Sequence, residues 1–157
     1  MFRVGIISDT HNLLRPEAKA LLRGSDHIVH AGDICAPGVL EELALLAPLT
    51  AVRGNNDRGS WADKLQETEL IKLGEICLCV IHDRAALDID PIATGVQVVV
   101  SGHSHKPSVT QRDGVLYVNP GSAGPRRFKL PIAAAELVIE NGSVSARITE
   151  FSVESAA

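Results

Sequence analysis

Five short apolar runs rich in β-branched residues mark the chain, at residues 4–8, 28–31, 49–52, 76–81 and 96–101. They do not alternate with polar residues, which suits strands buried on both faces. Helical patterns separate the first three. Pro16 and Glu17 fit a first helical turn, with Leu14, Ala18, Leu21 and Leu22 on one stripe and Gly24 just past the end. A second helix follows Pro37, carries Val39, Leu40, Leu43, Ala44 and Ala47 as its apolar stripe, and stops before Pro48. Strand–helix alternation of this kind predicts parallel pairing through right-handed crossovers.

The character changes after Asp57. An irregular stretch begins at Gly59-Ser60-Trp61, followed by a hairpin of residues 69–73 and 76–81 around Gly74-Glu75. A short helix is expected over residues 88–94, ended by Gly95. Residues 108–112 and 115–119 flank Asp113-Gly114, a strong type I′ hairpin signal, and residues 132–139 and 143–151 flank Glu140-Asn141-Gly142, another. Residues 155–157 should fray. With no repeat or linker, the 157 residues read as a single domain spanning 1–157.

Composition narrows the function classes. Hydrophobic residues make up 45% and charged residues 22%, a globular balance, while aromatics at 3% leave the core to Val, Ile, Leu and Ala. A net charge of −4 gives no basic footprint for nucleic acid and no basic patch for a membrane surface. No apolar stretch approaches the ~20 residues that span a bilayer. The first strand follows Met1-Phe2-Arg3 at once, leaving no room for a signal peptide. Three cysteines, an odd number, argue against a disulfide framework. Cys35, Cys77 and Cys79 read as small buried hydrophobes in a reducing compartment, so a cytoplasmic location is expected.

The polar residues that close the apolar runs carry the candidate chemistry. The first run ends in Asp9-Thr10-His11, the second in Gly32-Asp33, and the third in Arg53-Gly54-Asn55-Asn56-Asp57. The fourth ends in His82 and the fifth in Gly102-His103-Ser104-His105. Ligands of open α/β sheets collect beyond the carboxyl ends of the strands, so five co-directed ends would bring these side chains into one pocket. A pair of divalent ions ~3.5–4 Å apart usually shares one carboxylate. Asp33, after a glycine that lets the backbone approach closely, is the candidate bridge. Carboxylate, amide oxygen and imidazole together suit Mn²⁺, Fe²⁺, Zn²⁺, Co²⁺ or Ni²⁺ better than Ca²⁺.

In this order the motifs Asp9-x-His11, Gly32-Asp33, Gly54-Asn55-x-Asp57, His82 and Gly102-His103-x-His105 resemble the calcineurin-like metallophosphoesterase superfamily. Asn119-Pro120-Gly121-Ser122 is similar to its small, single-domain bacterial and archaeal phosphodiesterase branch. The resemblance implies an α/β fold, a four-layer α/β/β/α sandwich of two mixed β-sheets flanked by helices. It assigns Asp9, His11, Asp33 and His105 to one divalent ion and Asp33, Asn55, His82 and His103 to a second. Manganese leads among the expected ions, with nickel, zinc, iron, cobalt and magnesium as alternatives. It further implies hydrolysis of small phosphodiesters by a hydroxide bridging the ions, attacking phosphorus in line. Small members often associate, so a homo-oligomer is among the expectations.

Two positions depart from that pattern. Many members carry His directly after the ligand Asn, where it can protonate the leaving group; here that residue is Asn56, which has no proton to give. Asn56 and Arg53, with Arg126 or Arg127, are candidates to hold phosphoryl oxygens. Asp83 follows His82 where the family usually has Gly, and either alters the turn or hydrogen-bonds a ligand histidine. Asp57 is expected to accept from a ligand's second ring nitrogen or to cap a turn. His30, three residues before Asp33, fits a buttress or a satisfied buried imidazole equally well. Two rival readings share the fold: a non-catalytic protein-interaction scaffold, and a phosphomonoesterase, which Asn56 disfavours.

Overall fold

The first apolar run becomes strand β1 (Phe2–Ile7) and the second β2 (His27–His30), joined by helix α1 (Pro16–Leu22) with Pro16 at its start. Helix α2 (Pro37–Ala44) leads to β3 (Leu49–Ala51). β1 pairs with β2 and β2 with β3, both in parallel, as strand–helix alternation predicts. The sheet is completed by β9 (Ile132–Glu140) and β10 (Ser143–Phe151), antiparallel to their neighbours, in the order β10-β9-β1-β2-β3. The computed structural model describes residues 1–127 and 129–152, and the fraying expected at residues 155–157 lies outside these.

The second sheet runs β4-β5-β6-β8-β7. It is built from the hairpin β4 (Thr68–Leu73) and β5 (Ile76–Ile81), then β6 (Val98–Val100), β7 (Ser108–Arg112) and β8 (Val115–Asn119). β6 lies parallel to both β5 and β8, so this sheet is mixed as well. Asp113 and Gly114 take φ of 52° and 79°, and Asn141 and Gly142 take 52° and 76°, the left-handed pairs that type I′ turns require.

Period-two alternation then builds the layers. Val4 and Ile6 of β1 face Leu78 and Val80 of β5 and Val98 and Val100 of β6 in a core between the sheets. The opposite residues of the same strands face outward. Ile7 and Ile28 pack against Ala18, Leu22, Val39 and Leu43 of the two helices, while Cys79, Ile81 and Val99 pack under Leu87 and Ile89. The outer cover of the second sheet is thin, a 3₁₀ turn (Arg84–Ala86) and helix α4 (Pro91–Thr94). The result is the four-layer α/β sandwich.

Some local expectations need correction. α2 ends at Ala44 instead of running to Ala47, and Leu45 is left 87% exposed. The expected helix over residues 88–94 keeps only its last turn, with Asp90 capping Ile92 at 3.1 Å. The stretch expected to be irregular after Gly59 contains helix α3 (Ser60–Asp63), on which Trp61 packs toward the first helical layer. Among the described residues no helix is long and apolar enough to cross a membrane.

Candidate metal centre

Every candidate ligand sits just beyond the carboxyl end of a strand: Asp9 and His11 after β1, Asp33 after β2, Asn55 after β3, His82 after β5, and His103 and His105 after β6. Three of these ends belong to one sheet and two to the other, so the centre lies at the end of the sandwich, where the carboxyl ends of strands from both sheets meet. The loops after β1 and β2 are stitched together by Asp9 N–H to Gly32 O at 2.9 Å, His11 N–H to Asp33 O at 3.0 Å and Asn12 N–H to Ile34 O at 2.8 Å. Gly102 N–H to His82 O at 2.9 Å does the same across the second sheet. Asp9, His11, Asp33, His103 and His105 all adopt positive φ, between 45° and 70°. Side-chain-bearing residues take that conformation uncommonly, and the cross-loop bonds hold it at Asp9, His11 and Asp33.

The polar atoms converge. Oδ1 of Asp9 lies 3.4 Å from His105 Nε2, 3.9 Å from His82 Nε2 and 4.0 Å from His11 Nε2. Oδ2 of Asp33 lies 3.4 Å from His82 Nε2 and 3.8 Å from His11 Nε2. Asp9, His11 and His105 can each offer one atom within 4.8 Å of the others, and so can Asp9, Asp33 and His82. His103 Nδ1 comes within 3.3 Å of His82 Nε2. Asn55 is exposed and lines, with Arg53, His82, Asp83 and His103, a cavity of about 310 Å³.

Asp9 Oδ1 and His11 Nε2 are buried and have no hydrogen-bond partner. Bare buried polar atoms cost ~1–3 kcal/mol each. Two donors each ~2.1 Å from a shared ion lie about 3–4 Å apart, the spacing found around Asp9 Oδ1. The residues therefore fit a divalent cation.

The remaining bonds of these side chains hold them in register. His82 Nδ1 faces Ala31 O at 2.8 Å, and since a carbonyl only accepts, Nδ1 carries the hydrogen and Nε2 is bare. Burial lowers the His82 pKa, but Asp33, Asp9 and the Ala31 carbonyl overcome it and raise the net value. Burial likewise pushes Asp33 up, yet the nearby His82 ring, when protonated, and hydrogen bonds from both the backbone and the side chain of Asn56 hold it well below the usual carboxylate range. Asp9 Oδ2 accepts from Ser8 Oγ at 2.8 Å and His103 N–H at 3.1 Å. A Cβ on Gly102 would strike Ser8 Oγ, and one on Gly54 would strike Asp33 Oδ1, so both glycines are needed for close approach.

Other candidates sit differently from expectation. Asp57 accepts no bond from a ligand ring; its carboxylate takes three backbone N–H groups, from Asp33 at 3.0 Å, Gly54 at 2.8 Å and Cys35 at 2.8 Å. Asn56, expected to face phosphoryl oxygens, donates its backbone N–H and its amide to the two oxygens of Asp33, both at 2.9 Å. Arg53 lines the cavity with its guanidinium on Glu67 at 2.9 Å. Arg126 is exposed and does not line that cavity.

His30 acts as a fully buried buttress. Gly32 N–H donates to its Nδ1 at 3.1 Å, so Nε2 carries the hydrogen and donates to Thr10 Oγ1 at 3.0 Å, bracing the loops that bear Asp9 and Asp33. Burial lowers its pKa to about 3 despite the attraction of Asp9.

The contacts of several residues named in the sequence reading escaped it. Of the cysteines only Cys79 is a buried hydrophobe. Cys35 Sγ lies 3.5 Å from His11 Nδ1, and burial with the nearby Asp57, Asp33 and Asp9 pushes its thiol up to about 11. Asn119 donates to Gly102 O at 3.0 Å and Ser104 Oγ at 3.1 Å, and Ser122 Oγ donates to Asp9 O at 2.9 Å, which gives the Asn-Pro-Gly-Ser segment its task.

The model of the calcineurin-like phosphoesterase superfamily domain matches residues 2–142. The chain belongs to this superfamily. A relative described as a probable metallophosphoesterase, from Methanothermobacter thermautotrophicus, is 34% identical over 82% of this chain and 81% of its own. A phosphodiesterase of Methanocaldococcus jannaschii is 29% identical over 76% of this chain and 82% of its own. Among solved structures, Vps29 of Entamoeba histolytica complexed with Zn²⁺ aligns with a TM-score of 0.73, at 25% identity over 96% of this chain and 100% of that one.

Proposed function

We propose that this metallophosphoesterase is a phosphodiesterase of small diesters that works with two divalent cations, manganese foremost. The observation that carries the reading is Asp9 Oδ1, buried without a hydrogen-bond partner and surrounded by the Nε2 atoms of His11, His82 and His105 at 3.4–4.0 Å. Asp9, His11, Asp33 and His105 would hold one cation, and Asp33, Asn55, His82 and His103 the other. Asp33 is shared, in keeping with the approach of its Oδ2 to both His11 and His82. When bound, such a pair makes a nucleophile of water near neutral pH and neutralises charge building on phosphoryl oxygens.

The chain's own residues set the rest. Ala31 keeps the bare Nε2 of His82 turned to the centre. Asn56 fixes both oxygens of Asp33 and has no proton for a leaving group, so diesters with good leaving groups are preferred over alkyl monoesters. Asp57 positions the backbone of both loops and touches no substrate. Arg53, already in the cavity wall, is better placed than Arg126 to meet a phosphoryl oxygen.

The likeness to Vps29 supports a second reading, a non-catalytic interaction scaffold of the same fold. Competent side chains at all seven ligand positions favour catalysis. Metal-stripped protein resupplied with Mn²⁺, Ni²⁺, Zn²⁺ or Mg²⁺ should hydrolyse a chromogenic diester faster than its monoester counterpart. Inactivity on both with every ion would favour the scaffold.

A further inference from the structure

The two arginines beside the centre are held differently. The Arg53 guanidinium is matched by Glu67 at 2.9 Å and Asp63 at 3.9 Å. Arg84 is exposed and, among the described residues, forms no ion pair and no side-chain hydrogen bond. It is nonetheless placed. Its guanidinium carbon stands 4.2 Å over the centre of the Tyr117 ring, a contact that fixes the group and leaves its N–H edges free to donate. Its backbone opens the turn Arg84–Ala86, which Asp83 caps through Ala85 N–H at 3.0 Å. Arg84 and Tyr117 wall a cavity of about 230 Å³, and of the seven candidate ligands only His103 reaches it. A group seated there lies beside the centre and not on it.

The rest of the wall is rich in donors. Ser104 Oγ already accepts Lys106 N–H at 3.2 Å and Asn119 Nδ2 at 3.1 Å, so its own hydrogen is left to donate. Ser108 and Tyr117 each bring a hydroxyl to the same wall. Asn119 is fully engaged, its amide on Gly102 O and Ser104 Oγ and its Oδ1 on Gly121 N–H at 2.9 Å. The one carboxylate in the wall, Asp83, has Oδ1 committed to Ala85. A fixed guanidinium with hydroxyl donors around it is matched by anionic oxygens. We infer that this cavity is a subsite for an anionic oxygen group, a phosphate or a carboxylate, carried on one arm of the diester, with Arg84 its charged anchor and Ser104 a further donor. The inference rests on the phosphodiesterase reading and deepens it by naming the substrate class: diesters with a second acidic group on one of their alcohols.

Wild type, Arg84→Gln and Arg84→Lys, supplied with Mn²⁺, should be assayed on three p-nitrophenyl phosphodiesters of equal length. Their second alcohol ends in a phosphonate (a phosphate that cannot be cleaved), a carboxylate or a methyl group. In wild type, kcat/KM for at least one acidic compound should exceed that for the methyl compound by ~10-fold. Arg84→Gln should lose that ratio, and Arg84→Lys, which keeps the charge without the fork, should retain part of it. The same ratio in all three proteins, or none in wild type, overturns the subsite. A second measurement is independent of turnover. Metal-stripped protein titrated with inorganic phosphate or with acetate should show saturating ¹⁵N shifts at Arg84 Nε and Ser104 N–H, the latter weakened ~10-fold in Arg84→Gln. Shifts confined to the loops of Asp9 and Asp33 would overturn the subsite. Wild type that cleaves none of the three diesters yet shows the Arg84 shifts would overturn the phosphodiesterase reading and leave the anion subsite standing.

Discussion

His82 donates its Nδ1 hydrogen to the carbonyl of Ala31 at 2.8 Å, and that bond decides which ring nitrogen faces the centre. It also ties the end of β5 in one sheet to the end of β2 in the other. The two nitrogens can be separated by substitution. In His82→Asn the amide can still donate to Ala31 but nothing replaces Nε2. That variant should melt in denaturant within about 1 kcal/mol of metal-free wild type. Its diesterase activity should fall by at least ~100-fold. Equal losses of stability and activity would show that His82 serves the fold alone.

Asp57 acts through backbone. Removing its carboxylate in Asp57→Ala strands the N–H groups of Asp33, Gly54 and Cys35. The expected cost is about 3 kcal/mol, since bonds to a charged acceptor are worth more than neutral ones. Mn²⁺ affinity should drop as well, because the loop carrying Asp33 loosens. Chemical denaturation of the metal-free protein and a Mn²⁺ titration measure the two effects.

Asn56→His places a proton donor next to the ligand Asn55 while removing the amide bond to Asp33. General-acid help is worth about 10²–10⁴-fold, and the lost bond reduces the net gain. Turnover of poor leaving groups should rise about 10-fold, with little change for good ones. A leaving-group series reads this directly: the dependence of log kcat/KM on leaving-group pKa should flatten.

The buried His30 predicts a pH effect. Its pKa falls from 6.5 to about 3 on folding, through burial, so the unfolded chain binds more protons between those values. Its contribution to stability is complete above pH 6.5 and is lost as pH falls toward 3. Between pH 7 and 5 the loss is about 2 kcal/mol. His82 shifts the opposite way, so the measurement is the difference between metal-free wild type and His30→Gln. The variant should be less stable at pH 7 and lose less on acidification; parallel curves would show that His30 is not buried neutral.

The strands were legible because their apolar runs are unbroken, and the hairpins because Asp113-Gly114 and Asn141-Gly142 demand left-handed backbone. The candidate ligands were legible for the same reason: each is the first competent side chain after a run or, like His11 and His105, stands two residues past that one. The four-residue helix Ser60–Asp63 was not, since one turn shows no periodicity. Nor were the contacts of Cys35, Asn119 and Ser122. Their partners lie far away in sequence: His11 meets Cys35 on the next loop of the first sheet, Gly102 meets Asn119 across the second, and Asp9 meets Ser122 from one sheet to the other. Asn56 and Asp57 were found as residues, but the Asp33 carboxylate that Asn56 holds and the three backbone N–H groups that Asp57 accepts leave no trace in a motif.

The most direct test is anomalous diffraction from crystals grown with manganese. Two peaks about 3.5–4 Å apart are predicted, with Asp33 between them, one beside Asp9, His11 and His105 and the other beside Asn55, His82 and His103. An empty cluster, with manganese bound only elsewhere on the surface, would contradict the account.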